Sequence, residues 1–210
     1  MKIALYNFGS LRIYAINLKE LRDFISEAHV TTFCNPVDYQ IWLRMTNEKR
    51  KLEFLATRFL LSNLNLHHDF FYEGRIPKLK SGQNISISHA QEWAVLALSN
   101  NHKIGVDIEL IQDKVARVYK KFVHSDEQKY FDINNLKSVT LLWSFKESVY
   151  KCMQIPGLVF SENIRIQPQG RDQYIARIHT AQGNFEVLLG FHIFGNHTLT
   201  FTIGDVQKQA

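Results

Sequence analysis

Apolar and polar positions along this chain change period several times, and the changes predict its elements. Residues 2–8 and 11–16 alternate as short strands, while 18–28 and 47–66 repeat at helical spacing. The second of these helices has the clearer start, because Thr46 or Asn47 can cap it ahead of Leu52, Leu55, Phe59 and Leu60. Residues 69–72, 84–88, 92–99 and 103–109 then read as strands, divided by turn clusters such as Ser81-Gly82 and Asn100-Asn101. Helical spacing returns over 113–122 and 125–131 and most clearly over 136–153, which Pro156-Gly157 is expected to stop. Four alternating runs follow, 163–167, 173–179, 184–194 and 198–203, and predict an antiparallel sheet. Helices and strands occurring twice in this order predict an α+β protein of two similar-sized halves, 1–103 and 104–210.

The run Ile104-Gly105-Val106-Asp107-Ile108-Glu109 carries the sharpest chemical signal. Strand side chains alternate between faces, so Ile104, Val106 and Ile108 can point into a core while Asp107 and Glu109 share the other face with Gly105. Two carboxylates roughly 4 Å apart repel by about 4 kcal/mol at an effective dielectric near 20, so a cation is expected between them. A side chain at position 105 would share that face and crowd whatever binds there.

In the helix at 136–153, Thr140, Ser144, Glu147 and Lys151 fall on one narrow arc, and the rest of the surface is mostly apolar. Such a helix is expected to be largely buried, with its polar seam facing a cleft. Glu147 and Lys151, four residues apart, could form no more than a helical ion pair worth a few tenths of a kcal/mol. With Asp107 and Glu109 they instead offer three hard oxygen donors and an ammonium, a set suited to Mg²⁺ sharing its shell with a phosphate. Ser88 and His89, at the end of the strand at 84–88, could bind phosphate; adjacent strand residues point apart, which argues against a Ser-His nucleophile pair.

Composition narrows the partners. A chain of 210 residues with 45% hydrophobic content can build a substantial core, and a formal charge of +5 favours an anionic partner. The basic residues are dispersed apart from Lys49-Arg50-Lys51 and Lys120-Lys121, which argues against a nucleic-acid arm and leaves a phosphate pocket open. Lys120-Lys121 reads as solvated surface. The apolar runs are too short to span a bilayer and residues 1–6 lack a signal-peptide pattern, so a cytoplasmic protein is expected. Cys34 and Cys152 read as reduced thiols.

Taken together, Ile87-Ser88-His89-Ala90, Gly105-Val106-Asp107-Ile108-Glu109 and Trp143-Ser144-Phe145-Lys146-Glu147-Ser148-Val149-Tyr150-Lys151 resemble the signature of the 4′-phosphopantetheinyl transferases. The match, over roughly 50–158, is to the surfactin-synthetase-activating (Sfp-like) type. The resemblance implies a monomer built as a pseudo-twofold pair of α+β subdomains, each a small, mainly antiparallel sheet on helices, with the active site where they meet. It implies transfer of 4′-phosphopantetheine from coenzyme A to a serine of an apo acyl, peptidyl or aryl carrier protein, releasing adenosine 3′,5′-bisphosphate.

By position, the resemblance makes Asp107, Glu109 and Glu147 the Mg²⁺ ligands and Glu147, or a metal-bound water, the base for the serine. Asp107 and Lys151 would join Glu147 in catalysis, Lys151 by contacting the phosphates, and Ser88 and His89 would meet the nucleotide end of coenzyme A, with His89 near its 3′-phosphate. Lys49 or Arg50 would fill the place of a basic residue ahead of an Ala/Leu-rich helix ending in Arg58. Arg75 stands in Gly74-Arg75-Ile76-Pro77, one residue longer than the usual Gly-Arg-Pro. Two other readings compete: a non-catalytic coenzyme A or carrier-binding module of the same fold, and a Mg²⁺-dependent phosphohydrolase.

Overall fold

Asparagines open the helices that matter most here. In the computed structural model, which describes residues 2–209 apart from the side chains of Glu27 and Ala28, the chain divides into two units, Met1–Asn101 and His102–Ala210. The first begins with an antiparallel pair, β1 (Ala4–Phe8) and β2 (Leu11–Asn17), and Asn17 ends β2 by capping α1 (Leu18–Phe24) through Lys19 N and Glu20 N. The helix expected over 18–28 is broken. Ile25 is extended at φ −76° and ψ 123°, and Ser26 starts α2 (Glu27–Phe33) with its backbone N–H donated to His29 Nδ1.

Another helix, α3 (Pro36–Arg44), was not expected, although Asn35 as cap and Pro36 in the first turn are its local signals. Asn47 then caps α4 (Glu48–Asn63) through Arg50 N. A hairpin of β3 (Phe70–Glu73) and β4 (Ile76–Leu79) precedes β5 (Asn84–His89) and β6 (Trp93–Ser99). The main sheet runs β1-β2-β6-β5, antiparallel throughout. Its core joins Ile16 and Leu96 of the sheet to Leu21 of α1 and Leu60 of α4.

The second unit opens with β7 (Val106–Leu110). The segment 113–131, expected as two helices, holds only α5 (Asp113–Ala116) and two 3-10 turns, Tyr119–Lys121 and Ser125–Lys129. Short turns suffice because single anchors, Val115, Phe122, Val123 and Phe131, bury this stretch. After α6 (Leu136–Met153), Gln154 takes a left-handed conformation, φ 54°, so the helix stops before Pro156 rather than at it. Then come α7 (Phe160–Asn163), β8 (Ile164–Pro168), β9 (Gln173–Thr180), β10 (Gly183–Phe194) and β11 (His197–Lys208). The last strand outruns the expected 198–203 by accepting a register shift opposite Glu186–Leu188. The sheet order is β7-β11-β10-β9-β8, again antiparallel, so the α+β class is met in each unit. Among the described residues no helix is long and apolar enough to cross a membrane.

Candidate active site

The acidic strand and the long helix meet in the second unit because Gly105 lets them. A Cβ at Gly105 would run into the carbonyl oxygen of Ser148 and lie 2.8 Å from Cys152 N, so the helix backbone presses directly on the chain entering β7. Room for a cofactor is therefore not what position 105 provides; it provides close helix–strand packing. Asp107 and Glu109 face the same helix, as the strand alternation predicts, while Val106 and Ile108 are fully buried on the other face.

Asp107 is 3% exposed, and its two oxygens are both engaged. Lys151 Nζ donates to Oδ1 at 2.7 Å and Ser144 Oγ to Oδ2 at 2.9 Å, and Lys151 also reaches Val106 O at 3.1 Å. The ion pair of Lys151 is thus with Asp107 across the packing interface, not with Glu147 along the helix. Glu109 accepts a bond from Trp143 Nε1 at 2.8 Å. The polar seam of α6 does not open to a cleft at its Ser144 end. Ser144 and Ser148 are buried against Thr200 of β11, whose hydroxyl lies 2.9 and 2.7 Å from theirs and whose backbone is paired with Asp107.

Burial and like charge act on the carboxylates that lack such partners. Glu109 is pushed up to about 7, first by burial and then by the Asp107 charge, against the Trp143 bond and the charges of Lys151 and Lys114. Glu147 is likewise pushed up to about 7, by burial and then by Asp107, with Lys151 opposing and Glu109 adding. The repulsion expected from sequence therefore exists, and Glu147 takes part in it. Among the described residues, however, no three His, Cys, Asp or Glu side chains are already gathered to hold a metal ion. Electrostatic contact extends farther than coordination, so the two observations are compatible: the carboxylates feel one another without closing a cage.

Lys146, next in sequence to Glu147, points the other way and is wholly buried. Its ammonium donates to Glu127 Oε2 at 2.7 Å and lies within 3.0 Å of the carbonyls of Phe122, Phe160 and Ile164. Glu127 in turn accepts from His124 N and Ile166 N, both at 2.8 Å. Burial pulls Lys146 down to about 8, with Glu127 opposing that shift. Sequence reasoning missed this pair, and it missed Trp143, Ser144 and Thr200 as partners of the acids. For Thr200 a signal existed: Thr198, Thr200 and Thr202 put a row of hydroxyls on one strand face.

The expected nucleotide contacts lie in the first unit. Ser88 is buried, and His89 Nε2 stands 2.9 Å from Thr57 Oγ1 of α4. Lys49 lines a cavity of about 410 Å³ with Arg22, Lys51, Trp42 and Gln91; Lys51 lies over the Trp42 ring at 4.4 Å. Arg50 and Arg75 are exposed, Arg75 at the tip of the β3–β4 hairpin, and the structure does not bring either into that cavity. Lys120 and Lys121 are exposed, as expected of solvated surface.

The strand with paired carboxylates and the Trp-Ser-x-Lys-Glu helix that holds it are two of the three motifs that carry the family resemblance, Ile87-Ser88-His89-Ala90 being the third. Residues 103–202 match the family described as the 4′-phosphopantetheinyl transferase superfamily, so the resemblance holds over the segment that carries this site. The chain is also similar to 4′-phosphopantetheinyl transferase gsp of Aneurinibacillus migulanus, 31% identical over 127 residues, which are 54% of this chain and 53% of that protein. The chain thus aligns with about half the length of this curated relative.

Proposed function

We propose that this protein transfers the 4′-phosphopantetheine group of coenzyme A to a serine of an apo carrier protein, in the cytoplasm and as a monomer. The observation that carries the reading is the cluster of Asp107, Glu109, Glu147 and Lys151, with Lys151 paired to Asp107, within the segment that matches the transferase superfamily. Phosphoryl transfer asks for positioning and charge neutralisation more than for covalent help, and one buried and two half-buried carboxylates beside an ammonium suit that demand.

The donor set fits Mg²⁺: all-oxygen ligands, in which burial and then the Asp107 charge push Glu109 and Glu147 up, a penalty that a cation would relieve. Asp107, Glu109 and Glu147 would hold the ion, which when bound with the pyrophosphate supplies Lewis-acid neutralisation of its charge. Glu147, or a metal-bound water that it orients, would serve as base for the carrier serine. Lys151 is held by Asp107 and Val106 O and can turn its remaining donor to a phosphate oxygen. Ser88, His89 and Lys49 supply contacts for the nucleotide end, with Arg50 and Arg75 as further cations.

The test is product analysis. Incubation with coenzyme A, Mg²⁺ and an apo carrier should release adenosine 3′,5′-bisphosphate in step with holo carrier. Coenzyme A bound but unconsumed would favour the binding module; nucleotide released without a carrier would favour the hydrolase.

A further inference from the structure

Thr57 sits in the middle of α4, 2% exposed, and no chemical reason in the sequence links it to His89, 32 residues later. Its hydroxyl nevertheless lies 2.9 Å from His89 Nε2 and 3.2 Å from the carbonyl oxygen of Glu53, one turn back in the helix. A hydroxyl has one proton and two lone pairs. A carbonyl can only accept, so the proton goes to Glu53 O, the usual back-bond of a helical threonine. The lone pair left for His89 requires a proton on Nε2, which sets the tautomer of the neutral ring.

We propose that Thr57 is a positioning residue: by accepting from Nε2–H it fixes the orientation of the His89 imidazole, so that the ring, once protonated, presents its positive charge to the 3′-phosphate of coenzyme A. The proposal rests on the functional reading above. Thr57 itself touches no substrate; it acts through the ring. The contact also ties His89, at the end of β5, to the helix that carries Lys49 and Lys51 toward the cationic cavity. An anion contacting both would meet groups fixed to one helix.

Thr57→Val keeps the shape and removes the acceptor, whereas Thr57→Ser keeps it. With a carrier protein as acceptor, Thr57→Val should raise KM for coenzyme A roughly five- to tenfold, the worth of one hydrogen bond, with kcat little changed. With 3′-dephospho-coenzyme A, wild type and variant should have the same KM, and Thr57→Ser should behave as wild type with both. Equal losses with both substrates, or no loss with either, would overturn the positioning role. The tautomer is read independently from the ¹H–¹⁵N pattern of His89 by NMR: Nε2–H in wild type is expected, and a neutral Nδ1–H ring would overturn the proposal. If the wild type transfers nothing to any carrier, the functional reading fails, and the NMR pattern still decides whether Thr57 sets the ring.

Discussion

Lys146 and Glu147 are neighbours on α6 and point to opposite sides, Lys146 wholly buried and Glu147 half-buried. Lys146 reaches a carboxylate and three carbonyls, and Glu127 beyond it also accepts two backbone N–H groups, so this ion pair is fully provided for. Glu147 faces two other carboxylates with Lys151 as the nearest counter-charge, and Lys151 is already bonded to Asp107. The difference separates two uses of a buried charge. A charge with every partner supplied by the fold ties segments together. A carboxylate buried beside like charges stays short of a cation, and that shortage is what a metal or a reacting proton can fill.

The largest effect is expected at the Lys146 end. Lys146→Ala leaves Glu127 buried without its cation and should cost about 3–5 kcal/mol, read as a lost or strongly lowered denaturation midpoint. A variant as stable as wild type would show that the pair ties nothing. At the other end, Glu147→Gln should fold normally and lose transfer by about 10²–10⁴-fold, the usual worth of a general base. Comparable turnover would remove Glu147 from the chemistry.

Gly105→Ala tests the packing that holds the two acids against the helix. Its methyl meets helix backbone, so about 1–3 kcal/mol of destabilisation is expected by denaturant titration, more than for an alanine in open space such as at Gly170.

The pH dependence sharpens the contrast further. Glu147 is pushed up from 4.5 to about 7 in the fold, so the folded state binds more protons than the unfolded chain in that window and stability falls as pH rises through it. Above about pH 7 the penalty is complete, and Glu147→Gln should melt higher than wild type there by up to about 1–3 kcal/mol, a gap that closes toward pH 4.5. A gap that stayed constant from pH 4.5 to 8 would contradict the assigned shift.

What could be read from the sequence was local. The period of 136–153 defines α6 and its seam, and alternation across 104–109 puts both acids on one face, because each signal depends only on nearby residues. What could not be read depended on distant partners. Glu127 lies in a 3-10 turn and meets Lys146 only through the fold, and Thr57 reaches His89 across two elements. Gly105 was legible as a position on the acidic face, but whether helix or ligand filled that space required the packing of α6. The split of 18–28 at Ile25 follows from a cap at Ser26 that outweighs a continuous apolar period.

On the proposed function, the carboxylates of β7 and α6 serve the transfer while the Lys146 pair holds the fold. Intact-mass measurement of an apo carrier incubated with coenzyme A and Mg²⁺ tests it most directly, with wild type beside Glu147→Gln and each checked for an unchanged fold. Wild type is expected to add one phosphopantetheine unit per carrier and Glu147→Gln to leave the carrier apo. Equal conversion by both, or none by the wild type with any carrier offered, would contradict it.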